Sequence, residues 1–257
     1  MNTENPVPDI LTGTDPIVTW LLPGLLAQGS LVVLAGDAGI GKSTLCYALG
    51  FACATGTPLL GYRPVMPLRV LYFDQENSRP DRDAYMRWAW YGLEQPSLEY
   101  ISTNFWTRHF ELGTSEWFLR AGEAVQEVRP HLIFLDTATP CCNIMDENDN
   151  GIATQVINRL RTLQAMVTPT AAMIVLKHAK SDTDAGHRVI RGAKAWAGAS
   201  DAVWFHVRST GHPRKDDLSR TRIEPNKTRA FGLRESININ PSWVGEGPHR
   251  GLRLDRA

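Results

Sequence analysis

The residues with the clearest chemical potential form one glycine-rich segment, Gly36-Asp37-Ala38-Gly39-Ile40-Gly41-Lys42-Ser43-Thr44. It matches the pattern G-x-x-x-x-G-K-[ST], follows an apolar run and opens a segment with helical spacing. Glycines let the backbone wrap a polyphosphate so that successive N–H groups point inward. Lys42 can then reach the β- and γ-phosphates, and the Ser43 hydroxyl can ligate Mg²⁺. The segment therefore predicts binding of a nucleoside triphosphate, ATP, together with Mg²⁺.

Two further carboxylates follow apolar runs. Asp136 ends the run Leu132-Ile-Phe-Leu, and Glu76 lies just after Val70-Leu-Tyr-Phe, in the segment Asp74-Gln75-Glu76-Asn77. The carboxyl ends of parallel strands lie at the same sheet edge as a phosphate loop, so we expect Asp136 beside the metal. Glu76 could accept a proton from, or orient, the water that attacks the γ-phosphate. The alternative is a solvated strand end at which Asp74 or Glu76 caps a helix.

Five short, almost wholly apolar runs must position these groups, since continuous apolar runs are typical of strands covered on both faces. They are Leu31–Ala35, Val70–Phe73, Leu132–Leu135, Met173–Leu176 and Ala202–Phe205. The intervals hold about 25 to 58 residues, enough for a crossover helix each. Helical patterns cover Thr44–Thr55, Arg82–Leu93, Glu116–Val128 and Ile152–Met166, and two further strands are expected at Thr221–Pro225 and Ser236–Asn240.

The predicted fold is therefore α/β, a doubly wound, mostly parallel sheet with helices on both faces and antiparallel strands near the C-terminus. We expect one principal domain over residues 16–240. Residues 1–15 are polar, contain two prolines and predict an N-terminal arm, and residues 241–257 are expected to form a C-terminal tail.

Composition excludes several classes of protein. The chain has 257 residues, 43% of them hydrophobic, and no apolar stretch of about 18 residues that could span a membrane. The N-terminus lacks the positive flank and apolar run of a secretory signal, so we expect a cytoplasmic protein. The four cysteines show no zinc-ligand spacing and are expected to be small apolar residues in a reducing compartment.

The charges are balanced overall but divided along the chain. There are 27 Lys plus Arg and 27 Asp plus Glu, so the net charge is zero, which excludes a uniformly basic nucleic-acid coat. Residues 1–176 carry a net charge of −7 and residues 177–257 carry +7. Net neutrality is therefore compatible with a local basic groove in the second part of the chain.

Together these motifs resemble those of the RecA-like ATPases, especially the plasmid RepA-type replicative helicases and the DnaB-like hexameric motors, over roughly residues 15–235. Supporting segments are Trp20–Gly29 before the first strand and the hairpin Gly56–Gly61 after the first helix. The resemblance implies a RecA-like fold, with Glu76 as the catalytic glutamate. It also implies an acidic, Asn-containing loop after the Asp136 strand, here Asp146-Glu-Asn-Asp-Asn150.

The resemblance also implies two sensing or trans-acting elements. His178 ends its strand where the family has a histidine that senses nucleotide state, and Lys227-Thr-Arg229 resembles a K-x-R pair that completes a neighbouring subunit's site. Each has a simpler alternative. His178 could be a satisfied, half-buried polar residue, and Lys227 and Arg229 could be solvated charges. Arg191 and Arg208 are rival candidates for the arginine finger, and Lys177 replaces a histidine common in RepA-type helicases.

In RecA-like rings the loop after the histidine strand faces the central channel and contacts single-stranded nucleic acid. The corresponding segment here, residues 177–191, contains Lys180, His187 and Arg188, which could hold phosphates without reading sequence. It contains no aromatic residue for base stacking, and Asp182 and Asp184 oppose its positive charge.

The leading hypothesis is therefore an ATP-hydrolysing ring, a head-to-tail homo-oligomer and expected hexamer, that moves on single-stranded DNA as a helicase. Replication or recombination proteins are possible partners. The second hypothesis is a RecA-like ATP-dependent switch or loader that recruits other proteins without unwinding DNA. A small-molecule kinase would also use a phosphate loop, but it accounts poorly for Glu76 and the K-x-R pair.

Overall fold

The computed structural model describes residues 18–109, 116–181, 188–192, 194–209, 218–229 and 231–257, so the arm predicted at residues 1–15 lies outside the described residues. The strands are β1 (Trp20–Leu22), β2 (Leu26–Ala27), β3 (Leu31–Gly36), β4 (Val70–Asp74), β5 (Phe105–Arg108), β6 (Leu132–Asp136), β7 (Ala172–Ser181), β8 (Arg188–Ile190), β9 (Ala202–Arg208), β10 (Thr221–Thr228), β11 (Ile237–Val244) and β12 (Gly251–Arg256). The α-helices are α1 (Lys42–Thr55), α2 (Arg79–Gly92), α3 (Leu98–Asn104), α4 (Trp117–Val128), α5 (Ala138–Cys141), α6 (Asn150–Ala165) and α7 (Ala195–Ala199).

Most of these strands form one sheet, in the order β12-β11-β10-β9-β3-β7-β6-β4-β5, with β8 paired to the far end of β7. Neighbours from β9 to β5 are parallel. The pairs β9–β10, β10–β11 and β11–β12 are antiparallel. The predicted doubly wound, mostly parallel sheet with antiparallel C-terminal strands is confirmed.

The apolar runs are continuous because both faces of the central strands are covered. In β3, Val32 and Leu34 pack in the layer that contains α1, whereas Leu31 and Val33 pack in the layer that contains α4 and α6. All six residues of β3 are buried. Alternate side chains thus contribute to two separate cores, and the apolar runs of these strands leave no position for a solvated side chain.

Two of the strands missed from sequence, β5 and β12, lie at the two ends of the main sheet. β5 is an edge strand, and β12 alternates Leu252 and Leu254 with charged residues, so neither is a continuous apolar run. The sequence predicts a tail over 241–257, but 241–244 complete β11, and β12 pairs with it from Ile239↔Arg256 to Val244↔Gly251. The sheet therefore continues to Arg256.

A close backbone approach between α2 and β12 fixes this last strand. A Cβ atom on Gly92 would lie 1.9 Å from the Leu252 carbonyl oxygen. Because that neighbour is backbone, Gly92→Ala should cost about 3 kcal/mol of the free energy of unfolding, measured by chemical denaturation. Gly198→Ala is the matched control, since a Cβ there meets nothing within 4 Å. Equal unfolding midpoints for the two variants would contradict this contact.

The helices and the cysteines bear on the cellular environment that the sequence predicts. Within the described ranges, no helix combines the length and apolar character needed to cross a bilayer. All four cysteines are free and buried, and they pack as small core residues: Cys46, Cys53, Cys141 and Cys142.

Candidate active site

The glycine-rich segment forms a loop between β3 and α1, as its sequence predicts. Gly39 and Gly41 have positive φ angles of 69° and 94°, a conformation that glycine adopts without steric cost. Gly36 needs its lack of a side chain for another reason, because a Cβ there would lie 2.7 Å from the carbonyl oxygen of His206. The loop therefore ends at the N-terminus of α1, where free N–H groups favour an anion.

Lys42 is buried and folded back onto this loop. Its Nζ donates hydrogen bonds to the carbonyl oxygens of Gly36 at 3.0 Å and Asp37 at 2.9 Å. Burial lowers the pKa of Lys42, and the nearby carboxylates of Glu76 and Asp136 oppose that shift. The ammonium group thus lies among the loop carbonyls, within the field of the carboxylates that follow β4 and β6.

Those two strands bring a pair of buried carboxylates together. Asp74 and Asp136 are direct register partners at the ends of β4 and β6. Tyr47 Oη donates to Asp74 Oδ2 and Tyr72 Oη donates to Asp136 Oδ2, both at 2.8 Å. The two tyrosine rings stack with centroids 4.2 Å apart. The Asn77 amide donates to both carboxylates, at 3.1 Å to Asp74 and 3.4 Å to Asp136. The pair is thereby held rigidly.

The environment of Asp136 fits a cation. Burial raises the pKa of Asp136 to about 7, the charge of Asp74 adds to the rise, and the hydroxyls of Ser43 and Tyr72 oppose it. Its Oδ1 atom is buried and has no hydrogen-bond partner among the described residues. A carboxylate oxygen and a serine hydroxyl are hard ligands of the kind that Mg²⁺ prefers. The described residues hold no cluster of three or more His, Cys, Asp or Glu side chains that would bind a metal by themselves, so Mg²⁺ would have to be shared with phosphate oxygens.

Glu76 and His178 meet at the same edge. Glu76 Oε1 lies 3.6 Å from His178 Nε2, with the side chains 40% and 28% exposed. His178 is the register partner of Gly36, so this part of β7 lies beside the start of the phosphate loop, and β7 continues beyond the strand end that the sequence predicts at His178. Burial lowers the pKa of His178, and the charge of Lys42 lowers it further. A neutral imidazole can exchange hydrogen bonds with a carboxylate and a phosphate.

The acidic loop after β6 has defined structural roles. Glu147 forms ion pairs with Lys177 at 3.4 Å and Arg191 at 3.5 Å. Lys177 is fully buried, and its ammonium group also lies 5.2 Å from the centre of the Trp196 ring. Asp149 caps α6 by accepting hydrogen bonds from the first backbone N–H groups of that helix. Lys177 therefore anchors the 146–150 loop.

The K-x-R pair, Lys227 and Arg229, lies at the opposite end of the strands from the phosphate loop. Lys227 pairs with Val203 near the start of β9, and its Nζ donates to the carbonyl oxygens of Ala197, Gly198 and Ser200 at 2.6 to 2.9 Å. Arg229 donates to the Gly198 carbonyl at 2.9 Å and is 54% exposed. Arg229 bonds through its backbone to Asp201, which bonds to Leu31 at the start of β3, so it lies about the length of β3, roughly 17 Å, from its own phosphate loop. Lys227 lies level with Val33, and its Nζ reaches back to the same end of the strands.

The remaining basic candidates are dispersed. Arg191 contacts Glu147, and Arg208 lines a cavity beside its own phosphate loop. Lys180 is exposed at the end of β7, paired with Val189. Arg188 forms an ion pair with Asp37 of the phosphate loop, although the sequence predicts that it faces nucleic acid. His187 lies outside the described residues.

A cavity of about 180 Å³, which no sequence pattern indicates, lies on the β9 side of the phosphate loop. Its walls are mostly apolar and come from six elements, the phosphate loop and the segment before β10, with the members Gly39, Ile40, Gly41, Thr44, Leu45, Trp88, His206, Arg208, Leu218, Ser219, Thr221, Ile239, Pro241, Trp243, Leu252 and Leu254. Trp88 and Trp243 meet edge to face, with ring centroids 5.2 Å apart. The sequence pattern could not reveal this cavity because the two tryptophans come from α2 and β11, which are far apart in the sequence.

His206 and Thr221 are buried polar residues in the wall of this cavity. His206 Nε2 shares a hydrogen bond with Thr221 Oγ1 at 2.9 Å, while His206 Nδ1 is buried with no partner among the described residues. Burial, together with the charge of Lys42, lowers the pKa of His206 to about 4, so the ring is neutral near pH 7. A mostly apolar pocket with a few polar groups in its wall is typical of a site that binds and orients a small ligand.

A phosphate loop between a buried strand and a helix, with carboxylates from two neighbouring parallel strands at the same edge, defines a RecA-like P-loop ATPase. A family model described as AAA domain (AAA_25) matches residues 4–184, and the chain belongs to this family.

Structural comparison supports the same fold. The fold is similar to that of a KaiC-like protein from the hyperthermophilic archaeon Pyrococcus horikoshii OT3, with a TM-score of 0.58 and 15% sequence identity, over 91% of this chain and 93% of that chain. No curated protein matches the chain. At such identity the likeness shows the fold alone, so the resemblance to RepA-type and DnaB-like helicases stays a prediction.

Proposed function

We propose that the protein binds ATP with Mg²⁺ and hydrolyses the γ-phosphate. The observation that carries this proposal is the position of Glu76, which lies 3.6 Å from His178 at the sheet edge that also carries Lys42 and Asp136. A carboxylate at this edge can orient water and take its proton, and His178 can relay the state of the γ-phosphate. Binding without hydrolysis would not require such a group.

The phosphate loop and its carboxylates divide the remaining tasks. Lys42 and the loop amides would hold the β- and γ-phosphates, and Ser43 and Asp136 would hold Mg²⁺. When bound, the metal supplies positive charge that screens the phosphate oxygens. Tyr72 and Asn77 keep the Asp136 carboxylate in one orientation, so little reorganisation accompanies binding.

The cavity on the other side of the loop would take the nucleoside. Asp136 and Glu76 follow strands on the β7 side of β3, whereas the cavity is built by β9 to β12. A nucleotide whose γ-phosphate points toward Glu76 therefore directs its base and ribose toward Trp88 and Trp243.

Trp243→Leu should weaken binding of both ATP and ADP by about tenfold, since base stacking on an aromatic ring contributes about 1–3 kcal/mol. The measurement is equilibrium binding of fluorescent ATP and ADP analogues. Trp90→Leu is the control, because Trp90 lies on the same helix as Trp88 but outside the cavity. Unchanged affinity in Trp243→Leu would place the nucleoside elsewhere.

We further propose that hydrolysis occurs in a head-to-tail ring, expected to be a hexamer, that moves on single-stranded DNA. Lys227 and Arg229 support this proposal because they lie at the sheet edge opposite their own phosphate loop. In a head-to-tail contact, that edge of one subunit can face the phosphate loop of the next. Lys180 and His187 remain candidates for DNA contact.

The test combines the ATPase rate with and without single-stranded DNA and the mass of the assembly in solution, with Lys42→Ala as the inactive control. A motor should be oligomeric and stimulated several-fold by DNA. A monomer that hydrolyses no ATP even at high protein concentration would contradict the proposal.

The second candidate is an ATP-dependent switch or loader that recruits replication or recombination proteins. The contact between Arg188 and Asp37 favours it, because one of the three residues expected to bind DNA is engaged at the nucleotide site instead. ATP-dependent partner binding that survives in Glu76→Gln, without strand displacement by the wild type, would select the switch.

A further inference from the structure

Arg188 contacts the phosphate loop of its own protomer. Its Nη1 lies 2.8 Å from Asp37 Oδ2, and the two side chains are 32% and 49% exposed. The pair is therefore at the surface of the loop and open to exchange partners. This residue is separate from the phosphate-loop lysine, from the carboxylates and from the K-x-R pair.

Backbone pairing fixes this position. β7 continues for three residues beyond His178, the register partner of Gly36, and β8 returns along it with Ser181 opposite Arg188. The backbone N–H of Arg191 donates to the His178 carbonyl at 2.8 Å. Ile190 is buried in the core below. The hairpin thus brings Arg188 back over the loop on the side of His178, where the γ-phosphate would lie.

Asp37 holds two cations at once. Its carbonyl oxygen accepts a hydrogen bond from Lys42 Nζ at 2.9 Å, while its carboxylate pairs with the Arg188 guanidinium. A triphosphate offers both cations oxygens of higher charge than one carboxylate. A guanidinium can bind phosphate oxygens in a bidentate manner, which makes phosphate the stronger partner. The same phosphate charge would repel the Asp37 carboxylate.

We propose that Arg188 binds the γ-phosphate of ATP in cis, exchanging the Asp37 carboxylate for the nucleotide bound to the same protomer. Asp37 holds the guanidinium beside the loop until the phosphate replaces it. This inference rests on the proposed binding of ATP. It assigns to Arg188 a ligand within its own subunit in place of a DNA phosphate.

The first test compares Arg188→Ala with the wild type for binding of a non-hydrolysable ATP analogue and of ADP. Loss of a charge-assisted contact to the γ-phosphate should weaken the ATP analogue about tenfold and leave ADP within about twofold. Arg188→Lys should recover only part of the loss, because an ammonium group cannot bind in the same bidentate way. Arg120→Ala, an exposed arginine on α4 that pairs with Glu116, is the control.

The outcomes separate this inference from the proposed function. If the wild type binds no ATP analogue, the proposed function fails. If the wild type binds and Arg188→Ala binds equally well, the inference alone is overturned. If Arg188→Ala weakened binding of the ATP analogue and of ADP equally and also lowered the unfolding temperature, the Arg188–Asp37 contact would be a structural ion pair. That result would also overturn the inference. Normal nucleotide binding with loss of DNA stimulation would return Arg188 to a DNA contact.

A mixing experiment tests the cis assignment. Arg188→Ala and Lys42→Ala each lack one group of the same site, so mixed oligomers should show no more activity than the two separate preparations combined. Recovery of activity on mixing would mean that a neighbouring subunit supplies Arg188, and the cis assignment would be wrong.

Discussion

Replacing Glu76 with glutamine is expected to lower kcat for ATP hydrolysis by at least about 100-fold while ATP still binds. Glutamine preserves the size and shape of the side chain but cannot accept the proton of the attacking water. The carboxylate lies at the sheet edge, partly exposed and 3.6 Å from His178 Nε2, so water can reach it. Steady-state ATPase rates and equilibrium ATP binding, measured on the same preparations, check both parts of the expectation.

A matched substitution separates this effect from a general loss of charge. Glu99 is exposed on α3, and Glu99→Gln should leave kcat unchanged. If Glu76→Gln lost ATP binding together with hydrolysis, Glu76 would be supporting the loop. A normal kcat in that variant would show that another group activates water.

The central sheet and the phosphate loop could be predicted from sequence because their signals are local. β3, β4 and β6 are buried on both faces, so each is a continuous apolar run, and the residues that follow them lie at a common edge. That logic also indicated Asp136 and Glu76 as neighbours of the loop. This prediction required only that the strands be parallel, which follows from the long segments of chain that connect them.

The cavity beside the phosphate loop and the position of Arg188 could not be predicted because they depend on tertiary packing. Trp88, His206 and Trp243 come from α2, β9 and β11 and meet only when the C-terminal strands fold over the loop. Arg188 reaches Asp37 because β8 pairs with β7 in one register. The three residues of β8 do not show which residues of β7 they pair with. The sequence therefore favoured a loop that faces the channel of a ring.

In the folded chain, several basic residues of the positively charged part of the sequence form contacts within the protomer. The net charge of +7 over residues 177–257 suggested a basic surface for DNA. Lys177 is buried with Glu147, Arg188 pairs with Asp37, and Lys227 binds the carbonyls that end α7. Part of the positive charge therefore serves contacts within the protomer, and the surface available to DNA is smaller than the sequence indicated.

Replacing Arg229 with alanine is expected to lower the ATPase rate of the assembled protein by at least about 100-fold, because a trans-acting arginine contributes about 10³–10⁵ to such rates. Arg229 is 54% exposed, so its loss should leave the unfolding midpoint almost unchanged. Lys227 is a poorer probe, since its three carbonyl contacts make a stability loss unavoidable. Arg220→Ala, an exposed arginine that precedes β10, is the matched control.

Mixing decides whether this arginine acts across the interface. Arg229→Ala keeps an intact phosphate loop, and Lys42→Ala keeps an intact Arg229, so each supplies what the other lacks when the two meet in a head-to-tail ring. Random assembly of equal amounts completes about one quarter of the interfaces, and activity should return to roughly that fraction of the wild-type rate. A mixture that stays inactive, or an Arg229→Ala protein that is fully active alone, would leave Arg229 as the partner of Gly198 and Asp201 at the end of α7.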